Sequence, residues 1–207
     1  MMTTLIETTK AERVLKEPPR TKAESSAPRH LAIALNGGTD RFPATLESAT
    51  AALHAILSGC ADSGVAVLTL LRPPVDAEIF DAAMASVRTS LPLAGSVKIN
   101  LTSPRSGRDE LLEAVQRIAV QAQRGDIAPE NISAEKIESV LSTRGLPPID
   151  LLISTGGGSA VCGALMWQSA YAELLFADVP WHAFSRADFD AALADYAKRC
   201  RKFGGLA

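Results

Sequence analysis

The chain has 207 residues, 47% of them hydrophobic and 21% charged, with a formal net charge of −2. That length supports one well-buried domain with an attached arm, and the near-neutral, slightly acidic balance excludes the basic footprint of a nucleic-acid binder. No apolar run reaches the roughly 20 residues that span a bilayer, so no transmembrane segment is expected.

The first 29 residues, Met1 to Arg29, mix Lys, Arg, Glu, Thr and Pro without the apolar centre of a signal peptide. They read as a flexible N-terminal arm preceding a domain over 30–207. Four acidic residues dilute the six basic ones in this arm, which disfavours a membrane-surface helix over Leu5 to Leu15. His30 to Leu35 is a short apolar run ending at Asn36-Gly37-Gly38, a buried strand running into a turn. Leu46, Ala49, Leu53, Ile56 and Cys60 recur at helical spacing between Pro43 and Asp62. Val65 to Leu71 predicts a second strand, stopped by Arg72-Pro73-Pro74. A helix is expected over Val75 to Arg88, a third strand over Ser96 to Leu101, and a helix whose apolar face is Leu111, Leu112, Val115, Ile118 and Ala122. A short helix over Ser133 to Ser142 follows, then a fourth strand over Ile149 to Ile153 and a helix over Val161 to Glu173. Ser185-Arg186-Ala187-Asp188 predicts a capping box opening a last helix that runs to about Arg201. Apolar strands alternating with helices predict an α/β domain with a mostly parallel sheet flanked by helices on both faces.

Cys60, Cys162 and Cys200 are widely separated and odd in number. They have neither disulfide-framework nor zinc-ligand spacing, and the expected setting is the reducing cytoplasm. His30, His54 and His182 are equally scattered, so a histidine-built metal cluster is not expected, and His30 reads as a structural hydrogen-bonding residue.

The run Ile149-Asp150-Leu151-Leu152-Ile153, followed by Ser154-Thr155-Gly156-Gly157-Gly158 and then Leu165-Met166-Trp167-Gln168-Ser169-Ala170-Tyr171-Ala172-Glu173-Leu174, carries a specific likeness. With Phe184 and the tail Arg201-Lys202-Phe203-Gly204-Gly205, it resembles the C-terminal half of the cis-prenyltransferases, the undecaprenyl diphosphate synthase family. Upstream, His30 to Gly37 is similar to that family's opening strand and His-x-Ala-x-x-Met-Asp-Gly-Asn-Gly-Arg-Trp loop. Gly64 to Leu70 is similar to its Gly-Val-x-x-Leu-Thr-Leu strand, Arg72-Pro73 to the Arg-Pro that follows, and Ile99 to Arg108 stands at its Asn-Tyr-Gly-Gly-Arg segment. Between Arg72 and Arg108 the chain is shorter than the enzymes, which implies a shallow or absent elongation channel.

The resemblance implies Mg²⁺-assisted condensation of an allylic diphosphate with isopentenyl diphosphate, and this chain departs from the required charges. The loop Asp falls on Asn36, a poor Mg²⁺ ligand. The Asn-Gly-Arg-Trp part has become Gly38-Thr39-Asp40-Arg41, with Arg41 and Phe42 restoring an Arg-aromatic pair after a slip of one residue. In the Arg-Thr-Ser/Gly-Gly-Glu-x-Arg loop the arginine positions hold Ser154 and Ala160, and the Glu position holds Gly158. Gly156-Gly157-Gly158 remains a candidate for a backbone nest around an anion, against the commoner steric reason for such a turn. Glu173 keeps the position of a carboxylate that holds Mg²⁺ across the family dimer. Lys202-Phe203-Gly204 is similar to the Arg-x-Gly end that reaches a partner's diphosphate, keeping the charge without the fork. Trp167 to Leu174 falls in the family's dimer interface.

The diphosphate-site candidates are therefore Asn36, Gly37, Gly38, Arg41, Ser154, Gly156, Gly157, Lys202 and Gly204, with Glu173 as the Mg²⁺ candidate and any Mg²⁺ weakened or shared with a partner. The expected function is that of a non-catalytic or accessory subunit of a heteromeric prenyl diphosphate synthase, similar to accessory subunits of the Nogo-B receptor type. The expected assembly is a heterodimer with an intact cis-prenyltransferase, or a homodimer, in the cytoplasm or at the periphery of a membrane. The alternatives are a divergent prenyltransferase acting on a short allylic prenyl diphosphate, and an isoprenoid-binding homodimer.

Overall fold

The computed structural model describes residues 27–37, 43–91, 97–103, 106–157, 163 and 165–199. Its strands are β1 (His30–Ala34), β2 (Val67–Leu71), β3 (Lys98–Thr102), β4 (Leu151–Ser154) and β5 (Glu173–Phe176). They form one parallel sheet in the order β3-β2-β1-β4-β5. The helices are α1 (Leu46–Ser63), α2 (Ala77–Ser90), α3 (Gly107–Gln123), α4 (Ala134–Glu138) and α5 (Arg186–Lys198). No helix among the described residues is long and apolar enough to cross a membrane.

Local chemistry accounts for the helix limits. Thr45 and Ser48 form a capping box at the start of α1, and Gly64, at φ 78°, ends it in the left-handed conformation that glycine adopts without a Cβ clash. The capping box expected at Ser185 is present, with the side chains of Ser185 and Asp188 each taking the other's backbone N–H. One sheet face is lined by Leu31, Ile33, Leu68, Leu70, Leu151 and Ile153, which pack with Ile56 and Leu57 of α1, Phe80 and Val87 of α2, Trp181, and Phe189 of α5. The opposite face carries a smaller cluster of Ala32, Ala34, Leu71, Leu152 and Leu165. Central β1, β2 and β4 are buried throughout, whereas β3 and β5, at the two edges, are not.

Two sequence expectations are corrected. The helix expected over Val161 to Glu173 is not formed: Leu165 to Tyr171 make successive turns, and Glu173 opens a fifth strand. Leu165 itself has φ 57°, which a helix does not accept. The Glu173 and Ala177 amides instead donate to the Asp150 and Ser154 carbonyls, so the open edge of β4 recruits this segment. The second correction concerns α3, where Leu112 and Val115, placed on the apolar face, are each 57% exposed, while Gly107, Ala114 and Ile118 are buried.

His30 is fully buried and tied to three parts of the chain. Its Nδ1 lies 2.7 Å from the Pro147 carbonyl and its Nε2 2.8 Å from Thr69 Oγ1. A carbonyl only accepts, so Nδ1 carries the proton and the Thr69 hydroxyl donates to Nε2. Asp150 Oδ2 accepts the Arg29 and His30 amides at 2.8 and 3.0 Å. Burial pushes the His30 imidazole below its usual value, outweighing the raising effects of the Pro147 carbonyl and the Asp150 charge. The unfolded chain thus binds this proton first, at about pH 6.5. Stability contributed by neutral His30 is complete above that pH and declines as the pH falls from there towards the depressed folded value. His182 is shifted the same way, by burial against the Asp76 charge. The comparison that isolates His30 is therefore wild type against His30→Asn: urea unfolding at pH 7.5 and 5.5 should show the smaller acid loss in the variant, and equal losses would refute this assignment.

Candidate diphosphate site

Strands β1 and β4 lie side by side at the sheet centre, where the strand order reverses, with Ala34 level with Ser154. In an open parallel sheet the crevice beyond the carboxyl ends of two such strands is the usual ligand position. Three loops meet there. Asn36 and Gly37 follow β1, Thr155 to Gly157 follow β4, and Ala177 to Trp181 follow β5.

Hydrogen bonds knit these loops to one another. The Asn36 amide donates to Thr155 Oγ1 at 2.8 Å, and the Thr155 hydroxyl shares its proton between the carbonyls of Ala34 (3.1 Å) and Asn36 (3.0 Å). Thr155 is 3% exposed; it belongs to the glycine-rich run, but its hydroxyl can be recognised as the link between the loops only once β1 and β4 are adjacent. The Trp181 amide donates to the Asn36 carbonyl at 2.9 Å. Gly37 (φ 93°) and Gly156 (φ 98°) pass backbone against backbone: a Cβ on Gly156 would stand 2.7 Å from Gly37 Cα and N. Only glycine satisfies both the dihedral and the approach.

The structure brings together Asn36, Gly37, Ser154, Gly156 and Gly157 from the expected set. Gly38, Arg41, Lys202 and Gly204 lie outside the described residues, as do Gly158 and Ala160. The chemistry of the described group is neutral. Asn36 Nδ2 donates to Ser154 Oγ at 3.3 Å, two uncharged groups at positions where the resemblance calls for a carboxylate and a guanidinium. The Gly156 amide donates to the Val179 carbonyl at 2.7 Å and the Gly157 amide to the Ala177 carbonyl at 3.1 Å. The two described donors of the expected Gly156-Gly157-Gly158 nest are thereby engaged within the chain and are not directed at an anion.

Glu173 stands elsewhere. Through the sheet register it is level with Leu151 and hence with Leu31, at the opposite end of the strands from Asn36. At 3.3 Å per residue the offset along the strands is about 16 Å, with roughly another 10 Å across two strand spacings. Glu173 and Asn36 of one chain therefore cannot share a metal ion, and the described residues contain no group of three His, Cys, Asp or Glu suited to one. The Glu173 carboxylate pairs with Arg199 at 3.2 Å. Nothing local in the sequence singles out Arg199 or its second partner, Asp195, because the pairing with Glu173 exists only once 173–176 form β5. Burial pushes the Cys60 thiol up to about 12, making it an inert apolar side chain.

Comparison with known proteins agrees with this architecture. Residues 74–204 match the family model described as "Putative undecaprenyl diphosphate synthase". A ditrans,polycis-undecaprenyl-diphosphate synthase ((2E,6E)-farnesyl-diphosphate specific) of Pseudomonas aeruginosa is 31% identical over 235 positions, covering 89% of this chain and 94% of that protein. An isoprenyl transferase of Zymomonas mobilis is 48% identical over 99 residues, which are 48% of this chain but only 40% of the relative's length. The matched part of an isoprenyl transferase of Rhizobium meliloti is likewise 40% of its length. Among solved structures, lavandulyl diphosphate synthase from Lavandula x intermedia, crystallised with dimethylallyl diphosphate, shares the fold. Its TM-score is 0.69 at 21% identity, covering 86% of this chain and 99% of that one. The Pseudomonas alignment is longer than the 207 residues of this chain, so the relative carries segments that are missing here. With the parallel sheet and the glycine crossing in place, these matches identify the chain as a member of the cis-prenyltransferase family, that of undecaprenyl diphosphate synthase.

Proposed function

We propose that this chain is an accessory subunit of a heteromeric prenyl diphosphate synthase, contributing residues to the diphosphate site of an intact family member rather than running chemistry at its own. The observation that carries this reading is the position of Glu173. The carboxylate that the resemblance gives to a partner's Mg²⁺ lies at the open β5 edge, while the chain's own Asn36–Ser154 pair is neutral. The end of α5 shares that location, since Arg199 bonds both Glu173 and Leu174. Lys202 and Gly204 follow only three and five residues later. Three residues of extended chain reach roughly 10 Å. That reach from Arg199 supports a role for Lys202 and Gly204 at a neighbour seated on the β5 edge, where Tyr171 is 57% and Phe176 39% exposed.

The test uses the purified heteromer with an intact cis-prenyltransferase. Lys202→Ala should lower its steady-state activity by about tenfold or more, the equivalent of one charge-assisted hydrogen bond. Lys202→Arg should preserve or raise activity, because the planar fork grips phosphate with two hydrogen bonds. Unchanged activity of a correctly assembled Lys202→Ala complex would remove the accessory role. Weight would then move to a divergent prenyltransferase acting on a short allylic diphosphate. That second reading draws support from the match covering nearly the whole of lavandulyl diphosphate synthase, whose crystal holds dimethylallyl diphosphate.

A further inference from the structure

Three oxygen-bearing groups converge on the guanidinium of Arg199, the residue that closes α5. Its Nη1 donates to Glu173 Oε2 at 3.2 Å and to the Leu174 carbonyl at 2.7 Å. Its Nε and Nη2 donate to Asp195 Oδ2 at 2.9 and 2.6 Å. Two carboxylates and a backbone carbonyl gathered around one point are the kind of ligand set that a hard divalent cation takes. The centre of this set is filled by the chain's own cation. The Arg199 and Glu173 side chains are 30% and 27% exposed, so the pair is partly withdrawn from water and less screened than a surface ion pair. The Glu173 and Ala177 amides face β4, which turns the intervening Leu174 carbonyl to the open edge of the sheet, where Arg199 caps it.

We propose that Arg199 is the resident cation of Glu173: a positioning residue that withholds this carboxylate from Mg²⁺ and clamps the end of α5 to the edge strand. A guanidinium stays charged at every pH at which the protein is folded, and its planar fork satisfies several oxygens at once. Being part of the chain, it is held at an effective concentration that dissolved Mg²⁺ has to overcome. The inference concerns the resting state of a single chain. It goes beyond the accessory reading and does not depend on it; under that reading a partner has to displace the guanidinium before Glu173 reaches its Mg²⁺.

The experiment measures direct binding of Mn²⁺, a spectroscopically visible stand-in for Mg²⁺, to the full metal-free chain by loss of the free-ion electron paramagnetic resonance signal. Wild type and Glu173→Gln should bind Mn²⁺ equally weakly, because Glu173 is not available in either. Arg199→Gln removes the fixed charge but retains a side-chain amide, and it should bind Mn²⁺ roughly tenfold more tightly, the scale of removing one unit charge about 4 Å from an ion. The gain should vanish in the Arg199→Gln, Glu173→Gln double variant, and Arg199→Lys should behave as wild type. Mere loss of structure would not create a binding gain that depends on Glu173. Weaker Mn²⁺ binding by Glu173→Gln with Arg199 in place would overturn the proposal, and that comparison holds whether or not Arg199→Gln folds. An absent gain in Arg199→Gln with an unchanged thermal midpoint would overturn it equally.

Discussion

The isolated chain, supplied with farnesyl diphosphate, isopentenyl diphosphate and Mg²⁺, should yield no elongated product above a preparation lacking the protein. The reason is that none of the described residues of the three crevice loops is a Lys or Arg. By the resemblance, Asn36 takes the place of an Asp and Ser154 that of an Arg, and the two neutral side chains are bonded to each other. The resemblance gives the second arginine position to Ala160. Each missing arginine removes a charge-assisted contact of about 1.5–3 kcal/mol. Two such losses weaken diphosphate binding by roughly two to four powers of ten. The Gly156 and Gly157 amides do not compensate, because the Val179 and Ala177 carbonyls already hold them. For the same reason Asn36→Asp by itself should not create activity: a better metal ligand leaves the isopentenyl diphosphate without its cations. Radiolabelled isopentenyl diphosphate incorporated into a long-chain product by the isolated wild type would refute this.

Substitution at the crossing of the β1 and β4 loops should have the largest effect on stability. Gly37→Ala and Gly156→Ala each place a Cβ against the other loop's backbone at a φ near +95°, and neither loop can yield without moving its strand. Each should cost more than about 3 kcal/mol, combining left-handed strain with overpacking against main chain. Gly64→Ala is the internal control. Its φ of 78° is also left-handed, but no atom lies within 4 Å of the added Cβ. It should cost only the conformational part, about 1–2 kcal/mol. Urea unfolding of the three variants separates the two contributions. Equal losses at Gly37 and Gly64 would mean that the two loops do not cross as described.

The central sheet was legible in the sequence because its strands are short apolar runs bounded by turn residues. His30 to Leu35, Val65 to Leu71 and Ile149 to Ile153 each lie within about two residues of a strand found in the structure. The capping box at Ser185 shows the same local legibility, since one hydroxyl and one residue three positions later suffice to set a helix start. Family membership was also readable, from the ordered series that ends in Leu165 to Leu174. What remained hidden depended on partners distant in sequence. Four residues, Glu173 to Phe176, are too few to show a period, and only the open edge of β4 makes them a strand. Leu112 and Val115 fit a helical stripe, yet α3 buries Ala114 and Ile118 and leaves these two in solvent. The glycine run could be read as an anion nest, but in the fold the carbonyls of Val179 and Ala177 take the Gly156 and Gly157 donors. Arg199 is 26 residues from Glu173 in sequence. Their pairing exists because α5 runs back antiparallel to β5 and ends beside the strand's first residue, a relation set by tertiary packing alone.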